Sequence, residues 1–195
     1  MDQPGAAARR EKEIDMNQVL AAIKERRSVR KFQERPVEKE LLLQLLEAVQ
    51  WSPSWANTQC WKVVVVQDPA LRQALQATMG RGNPATKAII SAPLLLVICA
   101  KLGQAGYYNG QVTTKFGDWF LYDLGIATQS LCLAAHSLGL ASVVVGLFDQ
   151  DQAGKALALP EGSQVVSMLP VGYPDQSPKA PPRKEIAQFT YYDRF

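Results

Sequence analysis

The 195-residue chain has one histidine, His136, and three cysteines, Cys60, Cys99 and Cys132, and it contains no CxxC, no HExxH and no Cys/His cluster of zinc-finger spacing. That poverty excludes a structural zinc site and a metalloprotease. Three thiols cannot all pair within one chain, and two of them stand in apolar runs, which suits buried cysteines in a reducing compartment. A serine hydrolase is also excluded, because G-x-S-x-G is missing and the sole candidate base, His136, lies in an apolar helical stretch. The opening residues MDQPGAAARREKE lack the apolar core of a secretory signal. Residues 1–15 are therefore expected to be a disordered tail ahead of a single domain at 16–195, in a cytoplasmic protein. No membrane span is expected either: the longest apolar stretch, Trp119 to Leu140, is interrupted by Asp123, Gln129 and His136.

What is present suits an ordinary globular domain. With 47% hydrophobic and 20% charged residues, folding can bury roughly 70% of the unfolded chain's surface without metals or disulfides. The net charge of +3 favours small anionic ligands and falls short of a nucleic-acid binder. Met16 to Arg26 and Glu38 to Gln50 carry apolar residues at helical spacing, as does Pro69 to Met79. Lys62 to Gln67, Leu94 to Cys99, Ser142 to Leu147 and Val165 to Val171 are apolar runs bounded by turn residues, the pattern of buried strands. Four such strands among long helices predict an α/β or α+β sandwich, a central mixed sheet flanked by helices. The Trp119 to Leu140 helix is apolar nearly all round, so it either runs through a thick domain or packs against a second copy of the chain. The tail from Pro174 ends in Phe189, Tyr191, Tyr192 and Phe195. So large an aromatic load is expected to dock, on its own domain or as an arm on a partner subunit.

Four constellations carry chemistry. Arg26, Arg27, Ser28, Val29, Arg30, Lys31 and Phe32 alternate forked donors with a hydroxyl, which suits a phosphate; a solvated face or a helix C-terminus carries similar basic runs. Ser52, Pro53, Ser54, Trp55, Ala56, Asn57, Thr58, Gln59, Cys60 and Trp61 form a polar turn at the lip of a strand, either a ligand loop or a capped turn. Gly139 to Gly146 runs from a helix end through a valine strand into a glycine, where a flat ligand can approach the backbone or a turn can form. Pro181, Pro182, Arg183 and Lys184 follow the last strand. Gly80, Gly82 and Ala85 have dinucleotide-fingerprint spacing, yet they follow a helix and enclose Pro84, which argues against a Rossmann site.

Taken in order over residues 17 to 186, these pieces resemble the nitroreductase family of FMN-dependent oxidoreductases. RRSVRKF is similar to the family's opening Arg-x-Ser-x-Arg motif, SPSWANTQCW to its Ser-Pro-Ser-x-x-Asn-x-Gln-Pro-Trp loop, and LAAHSLGLASVVVGLFD to its buried helix, turn and strand. The resemblance implies a homodimer with a C-terminal arm and two FMN sites at the interface. Arg26, Ser28 and Arg30 would hold the phosphate and ribityl end, joined by Arg183, with Arg27 beside the flavin's polar edge. Pro53, Ser54 and Asn57 would contact the flavin from the second subunit, with Gln59 assisting, and the backbone of Val145 and Gly146 would face N5. The implied reaction is ping-pong: NADH or NADPH delivers hydride to the flavin, and a small acceptor such as a nitroaromatic, quinone or enone removes it. No acid/base dyad is needed, because the cofactor carries the chemistry. A non-catalytic module that stores or senses FMN would use the same residues. Cys60 stands where the family more often has proline, and Lys101 to Phe116, which borders the substrate pocket in relatives, matches no family pattern.

Overall fold

A computed structural model describes residues 18–195. The expected tail at 1–15 and the helical position of Met16 lie outside the described residues. Helix α1 (Gln18–Glu25) leads into an extended segment, and α2 (Lys39–Gln50) follows. A short 3-10 turn, Trp55–Asn57, precedes β1 (Trp61–Val66), α3 (Pro69–Ala77), α4 (Ala88–Ser91) and β2 (Leu94–Lys101). A hairpin of β3 (Tyr107–Tyr108) and β4 (Gln111–Val112) comes next, then α5 (Phe120–Ser137), β5 (Ala141–Ser142), α6 (Gln150–Ala156) and β6 (Ser163–Gly172).

The main sheet has the order β1, β2, β6, β5 with antiparallel ladders, and a parallel bridge from Ser28 to Ser142 makes it mixed. Strand β2 is its centre, and the pleat deals its side chains to two layers. Leu94, Leu96, Ile98 and Ala100 face α2 and α5 with Leu45, Leu124 and Leu131, while Leu95, Val97 and Cys99 face Leu75, Phe148 and Met168. Both faces are thus covered, which is why β1 and β2 are continuous apolar runs with no alternation. This is the expected α+β sandwich. Chain entry to α3 follows from sequence chemistry: Pro69 stands in its first turn and Asp68 caps it by accepting from the Ala70 N–H at 2.9 Å.

Two expectations change. The strand expected at Ser142 to Leu147 is regular only at Ala141–Ser142 and then touches β6 at Val143 and at the Val145–Met168 bridge. The Val143 N–H donates to Pro170 O at 3.3 Å, but proline has no N–H to return, so the ladder breaks there. Burial still alternates as far as Gly146, with Val143 and Val145 inside and Val144 and Gly146 outside, and the exposed Leu147 ends the pattern. Helix α5 is not covered all round within the chain: it buries Leu124, Ala127, Leu131 and Ala135 but exposes Leu121 and Tyr122 at 62% and 63%, with Gly125 and Gln129 on the same side. The unpatterned stretch after Lys101 is the β3–β4 hairpin, turned by Asn109 and Gly110 at φ 50° and 73°.

Candidate functional site

The first half of the site is built on the segment after α1. Residues 28–33 run extended between the sheet and the last strand's exit: the Val29 N–H donates to Ser142 O at 3.0 Å, Gln33 N–H to Tyr173 O at 2.9 Å, and Asp175 N–H to Lys31 O at 3.0 Å. Val29 and Phe32 are buried against Ala88 of α4 and Ala92 just beyond its end. Gly172 permits this closeness, since a Cβ there would lie 2.6 Å from the Pro93 ring and 3.3 Å from Phe32. With the apolar residues pinned inward, the arginines are left at the surface. Arg26 and Arg27 line a cavity of about 240 Å³ with Cys132, His136 and Ser142. Arg27 Nη1 donates to Lys24 O at 2.5 Å and Arg26 O at 2.8 Å, which places its charge on the C-terminal carbonyls of α1. Arg30 lines a neighbouring cavity of about 670 Å³ with Lys31 and Lys87, and Gln176, Ser177 and Pro178 form a wall common to both. Arg30 Nη1 donates to Ser28 O at 3.3 Å, whereas its Nε is buried with no hydrogen-bond partner. An orphaned guanidinium donor beside a second cation suits an anionic or carbonyl-bearing ligand.

The second half is the loop between α2 and β1. Ala56, Asn57 and Gln59 all adopt left-handed backbone conformations, at φ 43°, 57° and 49°, although none is glycine. Such strain persists only where surroundings over-determine it. Here Asp123 of α5 accepts the Trp55 N–H with both carboxylate oxygens, at 3.0 and 3.1 Å, and Ser52 Oγ lies 2.9 Å from Ser130 Oγ. Within the loop the Gln59 N–H donates to Ser54 Oγ at 3.0 Å and Gln59 Nε2 to Asn57 Oδ1 at 3.1 Å. Pro53, Asn57 and Gln59 are exposed and Ser54 is half-buried, so amide and hydroxyl groups face outward. Burial raises the Asp123 carboxyl, opposed by the Trp55 N–H, and burial followed by the Asp123 charge pushes the Cys60 thiol to about 11. Burial also raises Cys132. Both thiols stay protonated near neutrality and are not nucleophiles.

The halves do not meet within one chain. Asp123 anchors the loop near the start of α5, while Cys132 and His136 border the Arg26 cavity near its end. Thirteen residues of helix between Asp123 and His136 correspond to about 20 Å. Val145 is buried against Met168, and Gly146 is exposed, with open space where a Cβ would stand. Arg183 is exposed and donates only weakly within its own segment, to Pro181 O and Pro182 O at 3.5 and 3.4 Å. Three residues at these places carry no motif of their own: Lys87, Asp123 and Ser130. Asp123 was legible only as a charge interrupting an apolar helix. Beside the loop, Trp119 stacks 5.3 Å from Trp55 and meets Tyr122 and Phe116 at 5.3 and 6.0 Å, and Phe116 is 69% exposed.

The chain and its fold match known proteins. The profile of the nitroreductase family matches residues 23–173. The FMN reductase [NAD(P)H] of Bacillus subtilis is 32% identical over 178 residues, covering 85% of this chain and 70% of that protein. The NADPH-flavin oxidoreductase of Vibrio harveyi is 32% identical over 173 residues, covering 86% and 70%. Among solved structures, nitroreductase A from Vibrio parahaemolyticus superposes with a TM-score of 0.79 at 30% identity, over 92% of this chain and 77% of that one. Sequence profile, relatives and fold converge, and the chain belongs to the nitroreductase family.

Proposed function

We propose that the protein is an FMN-dependent NAD(P)H oxidoreductase acting as a homodimer on a small electron-poor acceptor such as a nitroaromatic or quinone. The observation that carries this reading is the orphaned Nε of Arg30, which lines a cavity with Lys87 that adjoins the Arg26 cavity along a common wall of Gln176, Ser177 and Pro178, a donor set that fits the anionic and carbonyl groups of FMN. Bound FMN would supply the redox chemistry, accepting hydride from NAD(P)H and passing electrons to the acceptor. The protein's part is binding and electrostatics. Arg26, Ser28 and Arg183 would neutralise and orient the phosphate end, with Arg27 at the rim. Arg30 and Lys87 would stand ready for negative charge that develops on reduction, which a fixed cation stabilises without reorganisation. The backbone N–H and C=O of Val145 are both paired with Met168, so the open space that would take a flat ring is at Gly146, and Pro53, Ser54, Asn57 and Gln59 would close the site from the other chain.

The same geometry supports the dimer. With the loop and the basic wall anchored about 20 Å apart along one helix, a second copy would bring the loop of one chain to the wall of the other, and the exposed Leu121, Tyr122 and Gly125 face of α5 would give that copy a surface. The C-terminal segment, with Phe189, Tyr192 and Phe195 at 60%, 86% and 101% exposure, finds little cover on its own chain and would wrap the partner. The test is the visible spectrum of the purified protein, repeated after anaerobic addition of NADH and of NADPH. A flavin spectrum that bleaches, and recovers with a quinone, supports the reading and identifies the donor. Flavin that resists both would make the protein an FMN store or sensor, and failure to take up added FMN would reject the assignment.

A further inference from the structure

We propose that Asp123 is a positioning residue that holds the 53–59 loop in its strained, cofactor-ready conformation, so that FMN affinity depends on a carboxylate which does not itself touch the ligand. The inference rests on the reading that this loop contacts FMN. Three non-glycine residues in four positions, Ala56, Asn57 and Gln59, are held in the left-handed region, which a free loop of that sequence would leave. Hydrogen bonds inside the loop contribute to its internal shape but cannot fix its place on the domain, because they move with it. What fixes it to a rigid element is Asp123, 2% exposed, whose two oxygens accept the Trp55 N–H immediately before the first strained residue. The carboxylate also receives the Cys60 Sγ–H at 3.8 Å at the loop's far end, so one side chain clasps both ends. The Ser52–Ser130 contact seats the neighbouring turn on the same helix but touches none of the strained residues. A buried carboxylate in an apolar helix costs desolvation, and the clasp is what this one accomplishes.

The experiment uses the full chain and reads FMN dissociation by flavin fluorescence and loop position by near-ultraviolet circular dichroism, to which the Trp55–Trp119 pair contributes. Asp123→Ala should keep its far-ultraviolet spectrum, lose the tryptophan signature and weaken FMN roughly tenfold or more, the scale of losing a hydrogen bond to a charged acceptor. Asp123→Asn keeps an oxygen for the Trp55 N–H and should stay within about threefold of the parent. Ala56→Gly relieves strain and should recover part of the affinity lost in the Asp123→Ala background. Asp123→Ser, too short to reach Trp55, substitutes if the alanine variant does not fold. Parental affinity and dichroism in Asp123→Ala would overturn the proposal while leaving the FMN reading intact. Loss of the fold in both short variants would also overturn it, since Asp123 would then determine the fold and not the loop. If the parent itself takes up no FMN, the cofactor reading fails, and the tryptophan dichroism of Asp123→Ala still decides whether Asp123 holds the loop.

Discussion

The Arg35 guanidinium lies 3.8 Å from the centroid of the Tyr173 ring, and both side chains converge on Glu38. The Tyr173 hydroxyl donates to Glu38 Oε2 at 2.7 Å and Arg35 Nη2 to Oε1 at 2.8 Å, which ties the start of α2 to the exit of β6.

This cluster predicts an acid dependence of stability. The Tyr173 hydrogen bond first, and Arg35 second, lower the Glu38 carboxyl from 4.5 to about 2. A depressed folded-state value means that its contribution is complete above the unfolded-state value and fades as pH falls from there through about 2. Carboxyl titration followed by NMR should place the Glu38 midpoint near 2, and Tyr173→Phe should move it upward.

Arg72 acts as a staple. Its guanidinium donates to the carbonyls of Val66, Ala92 and Pro93 at 3.1, 2.5 and 3.1 Å, joining the end of β1 to the start of β2. Arg72→Leu should destabilise by about 2–4 kcal/mol, because several carbonyls lose their partner at once. Arg72→Lys should recover only part of this, since an ammonium lacks the planar fork. Urea denaturation measures both.

Strands β1, β2 and β6 and helices α2 and α5 were legible because buried elements write long apolar runs whose period is set by their own geometry. The break after Ser142 was not, because it originates in Pro170 of the neighbouring strand, a pairing that local sequence does not state. The β3–β4 hairpin had a signal, Asn109–Gly110 between residues of strand propensity, which its shortness obscured. Helix α6 was likewise announced by its cap, Asp149, which accepts from the Gln152 N–H at 2.9 Å. At the site, the arginine and loop motifs could be read, whereas Asp123 and Lys87 acquire meaning only from what the fold sets beside them.

Replacing Arg26 and Arg30 together by alanine should raise the FMN dissociation constant by about 100-fold or more, at the magnitude of two charge-assisted hydrogen bonds. Neither residue belongs to the buried clusters, so thermal unfolding of the apo protein should be unchanged. Equilibrium titration with FMN checks the first and scanning calorimetry the second.

If α5 forms the interface, light scattering should give a mass near twice 21.5 kDa. Leu121→Glu places a charge on the exposed face and should shift the protein to the monomer, with FMN lost in parallel.

The length of α5 between its two anchored ends has a genetic corollary. When each cofactor site takes its basic wall from one subunit and its loop from the other, defects on opposite ends of the helix complement. A subunit lacking Arg26 and Arg30 and a subunit with a damaged 53–59 loop would each be inactive alone. Co-expressed, they would form mixed pairs in which both lesions fall into one site and the other is whole; with half of the dimers mixed by random pairing, two dead alleles would restore up to about a quarter of the parent's activity.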